Sequence, residues 1–198
     1  MHFTESLVQT VVERLSRPGD LVLDPFAGFG TTLLVAERLG RRVLGVELMP
    51  ERAAHARSRL VDPTTVVEGD AGRLSALLDE QRAGPVDLVL TSPPYRTLND
   101  HPDDPLQAYE REDGDYASYL RDIGAVFTDV ARALSPEGRV VVNAANITHR
   151  GVLTPLAWDL ARVIGRHLTL VQECYLAWDS LPPDITGDYL LVFAASRR

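Results

Sequence analysis

Apolar residues along this chain switch repeatedly between helical and strand spacing, and few folds accommodate that switching. From Thr4 to Arg17, Leu7, Val8, Val11, Val12 and Leu15 recur at helical spacing, with Thr4 as cap and Glu5 in the first turn. Pro18-Gly19-Asp20 stops that helix. Leu21–Asp24 reads as a short buried strand, a Gly-rich turn leads into a helix over Thr31–Leu39, and Arg42–Val46 is the next strand. The alternation continues with helix Pro50–Leu60, strand Thr65–Val67, helix Gly72–Gln81 and strand Val86–Leu90. Helix Asp115–Leu134, a turn at Ser135–Gly138, strand Arg139–Asn143 and helix Thr154–Gly165 follow. Strands Leu168–Ala177 and Asp188–Ala194 close the chain without a helix between them, so they are expected to pair antiparallel. The pattern predicts an α/β architecture: a seven-stranded, mostly parallel sheet with helices on both faces and an antiparallel last strand.

Composition narrows the function. A chain of 198 residues, 45% apolar, can furnish one full core, and 1–198 is expected to be a single domain. No apolar run approaches the ~18 residues of a membrane span, and Glu5 stands where a signal peptide would carry a basic start. A cytoplasmic protein without membrane partners is expected. All 20 basic residues are arginine. Without lysine there is no Walker-type phosphate loop and no Schiff-base or pyridoxal chemistry. The lone Cys174 excludes a disulfide framework and reads as a buried structural thiol. The five histidines lack ligand spacing, so no metal is assigned. A net charge of −8 argues against a generally nucleic-acid-binding surface. Most of that charge sits in the acidic insertion 96–115, which is expected to face a partner subunit or to clamp over the site.

Four segments carry chemistry. In Asp24-Pro25-Phe26-Ala27-Gly28-Phe29-Gly30-Thr31-Thr32, two glycines let the backbone approach a ligand and take positive φ, ahead of a helix with unpaired N–H donors. This is not the dinucleotide fingerprint, because Leu33 occupies the place of its third glycine. Glu47, 17 residues past Gly30, either accepts hydrogen bonds from two ribose hydroxyls or is a solvated loop acid. Asp70 either accepts from an adenine amino group or caps the helix beginning at Ala71. Finally, Thr91-Ser92-Pro93-Pro94-Tyr95 follows a strand directly. Its two prolines remove N–H donors and leave acceptors beside a ring, which suits a planar, amino-bearing base.

Asp24–Thr32 together with Thr91–Tyr95 resembles the S-adenosylmethionine-dependent cytosine-N4/adenine-N6 DNA methyltransferase family. The resemblance implies a Rossmann-like class I methyltransferase. His2-Phe3-Thr4 is similar to the family segment preceding the glycine turn, although Ser6 and Leu7 replace the usual Lys and Pro. It implies that Phe26, Gly28 and Gly30 line the methionine part of S-adenosylmethionine, with Thr31 and Thr32 at its carboxylate, Glu47 at its ribose and Asp70 at its adenine. Phe3, Thr4, Asp24, Pro25, Ala27, Leu48 and Ala71 complete the implied cofactor set. Ser92, Pro93, Pro94 and Tyr95 would hold the target base, and serine at the first position favours cytosine-N4 over adenine-N6. DNA is the favoured nucleic-acid partner, with RNA base methylation or a non-catalytic subunit as alternatives. No separate target-recognition domain is expected, because only about 20 residues separate Tyr95 from the long helix. Such chemistry needs no covalent nucleophile, in keeping with a Cys174 outside any motif, and this argues against carbon-5 cytosine methylation. Asn143, Asn146 and Trp178 lie after strands and either reach the same rim or, for Trp178, complete a strand edge.

Overall fold

The computed structural model describes residues 4–96, 115–179 and 184–196. Eight strands form one sheet: β1 (Leu21–Asp24), β2 (Arg42–Glu47), β3 (Val66–Glu68), β4 (Val86–Thr91), β5 (Leu134–His149), β6 (Val152–Thr154), β7 (Leu168–Tyr175) and β8 (Ile185–Ala195). Their order is β3-β2-β1-β4-β5-β8-β7, with β6 pairing separately to β5. Strands β1 to β5 run parallel, while β8 is antiparallel to both β5 and β7. The expected antiparallel last strand is therefore present.

Helices cover both faces, which explains why the central strands read as continuous apolar runs rather than alternating ones. All four residues of β1 are buried. On one face α4 (Leu74–Glu80), α5 (Tyr116–Ala133) and α6 (Leu156–Ile164) bury a core that includes Leu74, Phe127 and Leu160. On the other, α1 (Glu5–Leu15), α2 (Thr31–Arg38) and α3 (Pro50–Arg59) enclose Val12, Leu33 and Ala56. Close approach of α2 to β2 depends on Gly45, where a Cβ would collide with the Leu33 side chain of α2 and stand 3.0 Å from the Cβ of Ala27 in the glycine turn. Glu5 ties this layer together by pairing with Arg38 at 3.0 Å and Arg59 at 3.5 Å.

Three expectations need correction. The sheet has eight strands, because Val152–Thr154 turns back on the end of β5. Ser135–Gly138 lies inside β5 as an irregularity: β4 advances from Val86 to Leu88 while its partner jumps from Leu134 to Arg139. Cys174 is only half-buried, since β7 is the terminal strand of the sheet and is exposed along most of its length. Of the acidic insertion 96–115, only Arg96 and Asp115 fall among the described residues, and Phe3 lies outside them.

Candidate active site

The sheet reverses its winding between β1 and β4: the chain proceeds outward through β2 and β3, then returns to the other side of β1. In open α/β sheets, ligands bind at the carboxyl ends of strands flanking such a reversal. The Gly-rich turn leaves β1 there, and Ser92–Tyr95 leaves β4 there. Two motifs 60 residues apart in sequence thus become neighbours through strand order alone.

A buried hydrogen bond fastens them. The Thr91 hydroxyl donates to Asp24 Oδ1 at 2.6 Å, and the Phe26 N–H donates to the same oxygen at 3.1 Å. Asp24 is 3% exposed, so it acts from beneath, setting the exit of the glycine turn against the end of β4. Burial pushes its carboxyl up to about 6, opposed by Thr91, Phe26 and Thr32 and reinforced by the charge of Glu47. At pH values below 3.8 both the folded and the unfolded chain hold this proton. As pH rises towards 6 only the unfolded chain releases it, so folding loses roughly 3 kcal/mol across that window. Asp188, also raised by burial, contributes with the same sign. Asp24→Asn is expected to flatten the decline in stability between pH 4 and pH 6 measured by urea denaturation; an unchanged slope would show that Asp24 does not carry it.

The glycine turn is held from its other side by Glu47, which is buried at the end of β2. Its Oε2 accepts from the Gly28 N–H at 2.7 Å and its Oε1 from the Met49 N–H at 2.9 Å. The solvated-acid alternative is thereby excluded. Each oxygen keeps further acceptor capacity for a ligand hydroxyl. Gly28 and Gly30 adopt φ of 53° and 79°. A Cβ on Gly30 would also stand 2.8 Å from that of Ala56, so its absence serves the packing of α3. At Gly28 the nearest atom to such a Cβ is the Phe26 carbonyl oxygen at 4.0 Å, leaving an open cradle. Gly30 caps α2 without a side-chain hydrogen bond, leaving its first N–H groups available to an anion. Phe26, Gly28 and Thr31 are half-buried around the cradle, whereas Pro25, Ala27 and Thr32 are buried beneath it. Leu48 is exposed and Ala71 buried.

Asp70 accepts from the Gly72 N–H at 2.8 Å, so the capping role anticipated for it is present. It also sits beside Glu47 in the fold, because the neighbouring Gly69 N–H donates to the Glu47 carbonyl at 3.0 Å. Thr4 caps α1 and is exposed.

On the β4 side, the Ser92 hydroxyl donates to Tyr95 Oη at 3.4 Å, a long contact that leaves the serine oxygen largely uncommitted. Tyr95 is half-buried, and burial together with the Asp188 charge pushes its phenol up, so the ring stays neutral. Asp188 was not anticipated. It is fully buried in β8 and accepts from Asn143 Nδ2 at 2.6 Å and from Trp178 Nε1 at 3.0 Å. This network draws Asn143 and Trp178 towards Tyr95, whereas Asn146 instead accepts from the Ala157 N–H at 3.0 Å at the start of α6. An acid inside Gly187-Asp188-Tyr189-Leu190-Leu191-Val192 is itself a signal, since a charge in an apolar strand requires partners. The carboxyl of Asp115, the N-cap of α5, is lowered chiefly by hydrogen bonds from Ser118, with smaller contributions from Arg121 and from Arg96, which follows Tyr95.

Residues 1–58 match the DNA methylase family model for N6 and N4 methyltransferases. Among curated proteins, the chain is 45% identical over 56 residues to Type II methyltransferase M2.DpnII of Streptococcus pneumoniae. It is 42% identical over 59 residues to Type II methyltransferase M.SmaI of Serratia marcescens. Those alignments take 28% and 30% of this chain and only 21% and 20% of the two relatives, so it spans about a fifth of their length. Over 98% of this chain and 49% of the other, the structure superposes on TrmN from Thermus thermophilus with a TM-score of 0.67 and 21% identity. The glycopeptide N-methyltransferase MtfA, solved with S-adenosyl-L-homocysteine, gives 0.63 at 17% identity over 97% of this chain and 90% of its own. These likenesses establish the class I methyltransferase fold.

Proposed function

We propose, on the premise that residues 1–58 carry the sequence of the DNA methylase family, that this chain transfers a methyl group from S-adenosylmethionine to an exocyclic amino group of a nucleobase in DNA. Cytosine-N4 is favoured over adenine-N6, and 1–198 acts as one catalytic domain. The observation that carries this reading is the meeting of the glycine turn and Ser92–Tyr95 at the sheet's reversal, fastened by the Thr91–Asp24 hydrogen bond.

The residues present fit the cofactor. The cradle at Gly28 accepts a chain that a Cβ would obstruct, Glu47 has acceptor capacity for ribose hydroxyls, and the uncapped start of α2 suits a carboxylate. Asp70 serves an adenine amino group. When bound, S-adenosylmethionine supplies an activated methyl group on a sulfonium centre.

An exocyclic amine is a poor nucleophile because its lone pair is conjugated with the ring. The Ser92 hydroxyl oxygen and the Pro93 carbonyl accept its two N–H bonds, draw the nitrogen towards tetrahedral geometry and free the lone pair. Tyr95 stacks on the base and offsets about 1–3 kcal/mol of the cost of flipping it out of a duplex. Catalysis then rests on positioning and oriented dipoles. Incubation with methyl-labelled S-adenosylmethionine and oligonucleotides carrying cytosine or adenine alone, as DNA and as RNA, tests this directly. Label is expected in N4-methylcytosine of DNA; label confined to RNA would transfer the activity to RNA, and label nowhere would refute the reading.

A further inference from the structure

Thr91 is the last residue of β4 paired with β5, opposite Val142, and β5 then continues to His149. On the edge that β4 vacates, β6 takes over: Ile147 pairs with Thr154, Thr148 with Leu153 and His149 with Val152. Strand β8 holds the opposite edge, with Ile147 facing Ile185. The Ser92–Tyr95 segment therefore leaves the sheet at one side of a stretch, Asn143–Asn146, that is buried but has no strand paired to it on this edge among the described residues, and the β5–β6 hairpin stands at the other. At about 3.3 Å per residue, the hairpin tip reaches roughly 25 Å past the end of β4.

The tip is the two-residue turn Arg150-Gly151, with φ of 48° and 75°. Two successive positive φ values suit Asn-Gly or Gly-Gly, which carry little penalty there. An arginine at the first position costs of the order of 1–3 kcal/mol in local strain. The chain does not recover that cost through a contact, for Arg150 is exposed and makes no ion pair or hydrogen bond among the described residues. Its titratable neighbours, His149 and Asp184, face each other at 3.9 Å. Beside it Val152 and Leu153 are 42% and 52% exposed and, as successive strand residues, point to opposite faces. The hairpin thus carries an unpaired guanidinium on a strained turn at its tip, followed by two exposed aliphatic side chains on β6, beyond the end of β4.

We propose that the β5–β6 hairpin is a nucleic-acid contact, in which Arg150 grips a backbone phosphodiester of the strand carrying the target base while Val152 and Leu153 cover sugar and base surface on either side. The assignment rests on the function proposed above. Arginine's planar fork matches a phosphodiester, and in a chain without lysine no other residue type offers a permanent side-chain cation for that purpose.

The test uses the full chain, with Arg150→Gly and Arg150→Ala, and labelled oligonucleotides of one sequence as DNA and as RNA. Affinity is read by fluorescence anisotropy from about 50 to 200 mM salt, and melting temperature serves as the folding control. Arg150→Gly relieves the strain, so its melting temperature is expected to hold or rise while affinity falls severalfold. The slope of log affinity against log salt is expected to become shallower by about 0.9 on duplex DNA, or about 0.7 on single strands. The arm that responds identifies the backbone, DNA or RNA. Wild-type affinity and slope in both variants, with the wild-type chain methylating its oligonucleotide, would overturn the hairpin assignment alone. Failure of the wild-type chain to bind or methylate any oligonucleotide would overturn it together with the reading on which it rests.

Discussion

Ser92→Ala is expected to lower the methyl-transfer rate about 10²–10³-fold while S-adenosylmethionine affinity stays close to that of the wild type. The magnitude is that of removing one pre-aimed polar group from a reaction that relies on such groups. The serine oxygen is held at the end of β4 by a segment whose two prolines fix the backbone, and its 3.4 Å contact with Tyr95 leaves it available to accept an amine N–H. Among the described residues, Asp188, whose charge acts on Tyr95, cannot replace it because it is already committed to Asn143 and Trp178. Tyr95→Ala is expected to be at least as damaging, since it removes a stacking surface together with packing against the core formed with α5 and α6. Single-turnover transfer measures the chemical step, and calorimetry measures the cofactor. Ser92→Ala and Tyr95→Ala that both kept the wild-type rate would sink the assignment of Ser92–Tyr95 as the base site.

The parts of this site that were legible in the sequence are those whose chemistry is local. Glycines that need positive φ, and prolines that delete donors, declare themselves without partners, and Gly28, Gly30 and Pro93-Pro94 could be read directly. The mostly parallel, doubly covered sheet followed from the alternation of periods, whereas the order of its strands comes from the fold. What escaped were features made by residues far apart. Asp188 lies 45 residues from Asn143 and 10 from Trp178, and neither spacing marks a pair. The end of β5 escaped because Asn146, Thr148 and His149 read as loop residues. In the fold Asn146 spends its polar capacity on the α6 backbone, and pairing with β6 and β8 extends the strand. Ser135–Gly138 reads as a turn because its proline and glycine are turn residues, and within β5 they sit where the register with β4 shifts.

Glu47 carries the second large expectation. Its two oxygens satisfy two backbone donors, one in the glycine turn and one at the entry to α3, at 2.7 and 2.9 Å. Glu47→Gln keeps the shape but replaces one acceptor oxygen by an NH₂ group, which then confronts the N–H of either Gly28 or Met49. An unsatisfied buried donor costs about 1–3 kcal/mol, so a measurable loss of stability should accompany the substitution. The effect on the cofactor should be larger than on the fold, because the displaced glycine turn is the cradle itself and a ribose hydroxyl loses its acceptor. S-adenosylmethionine affinity is expected to fall about 10²-fold, the equivalent of about 2.7 kcal/mol. Asp24→Asn perturbs the same turn from below but keeps an acceptor oxygen for Thr91 and Phe26, so its cofactor affinity should change much less. A Glu47→Gln chain that lost stability yet bound S-adenosylmethionine as tightly as the wild type would assign Glu47 to the turn alone and remove it from the cofactor site.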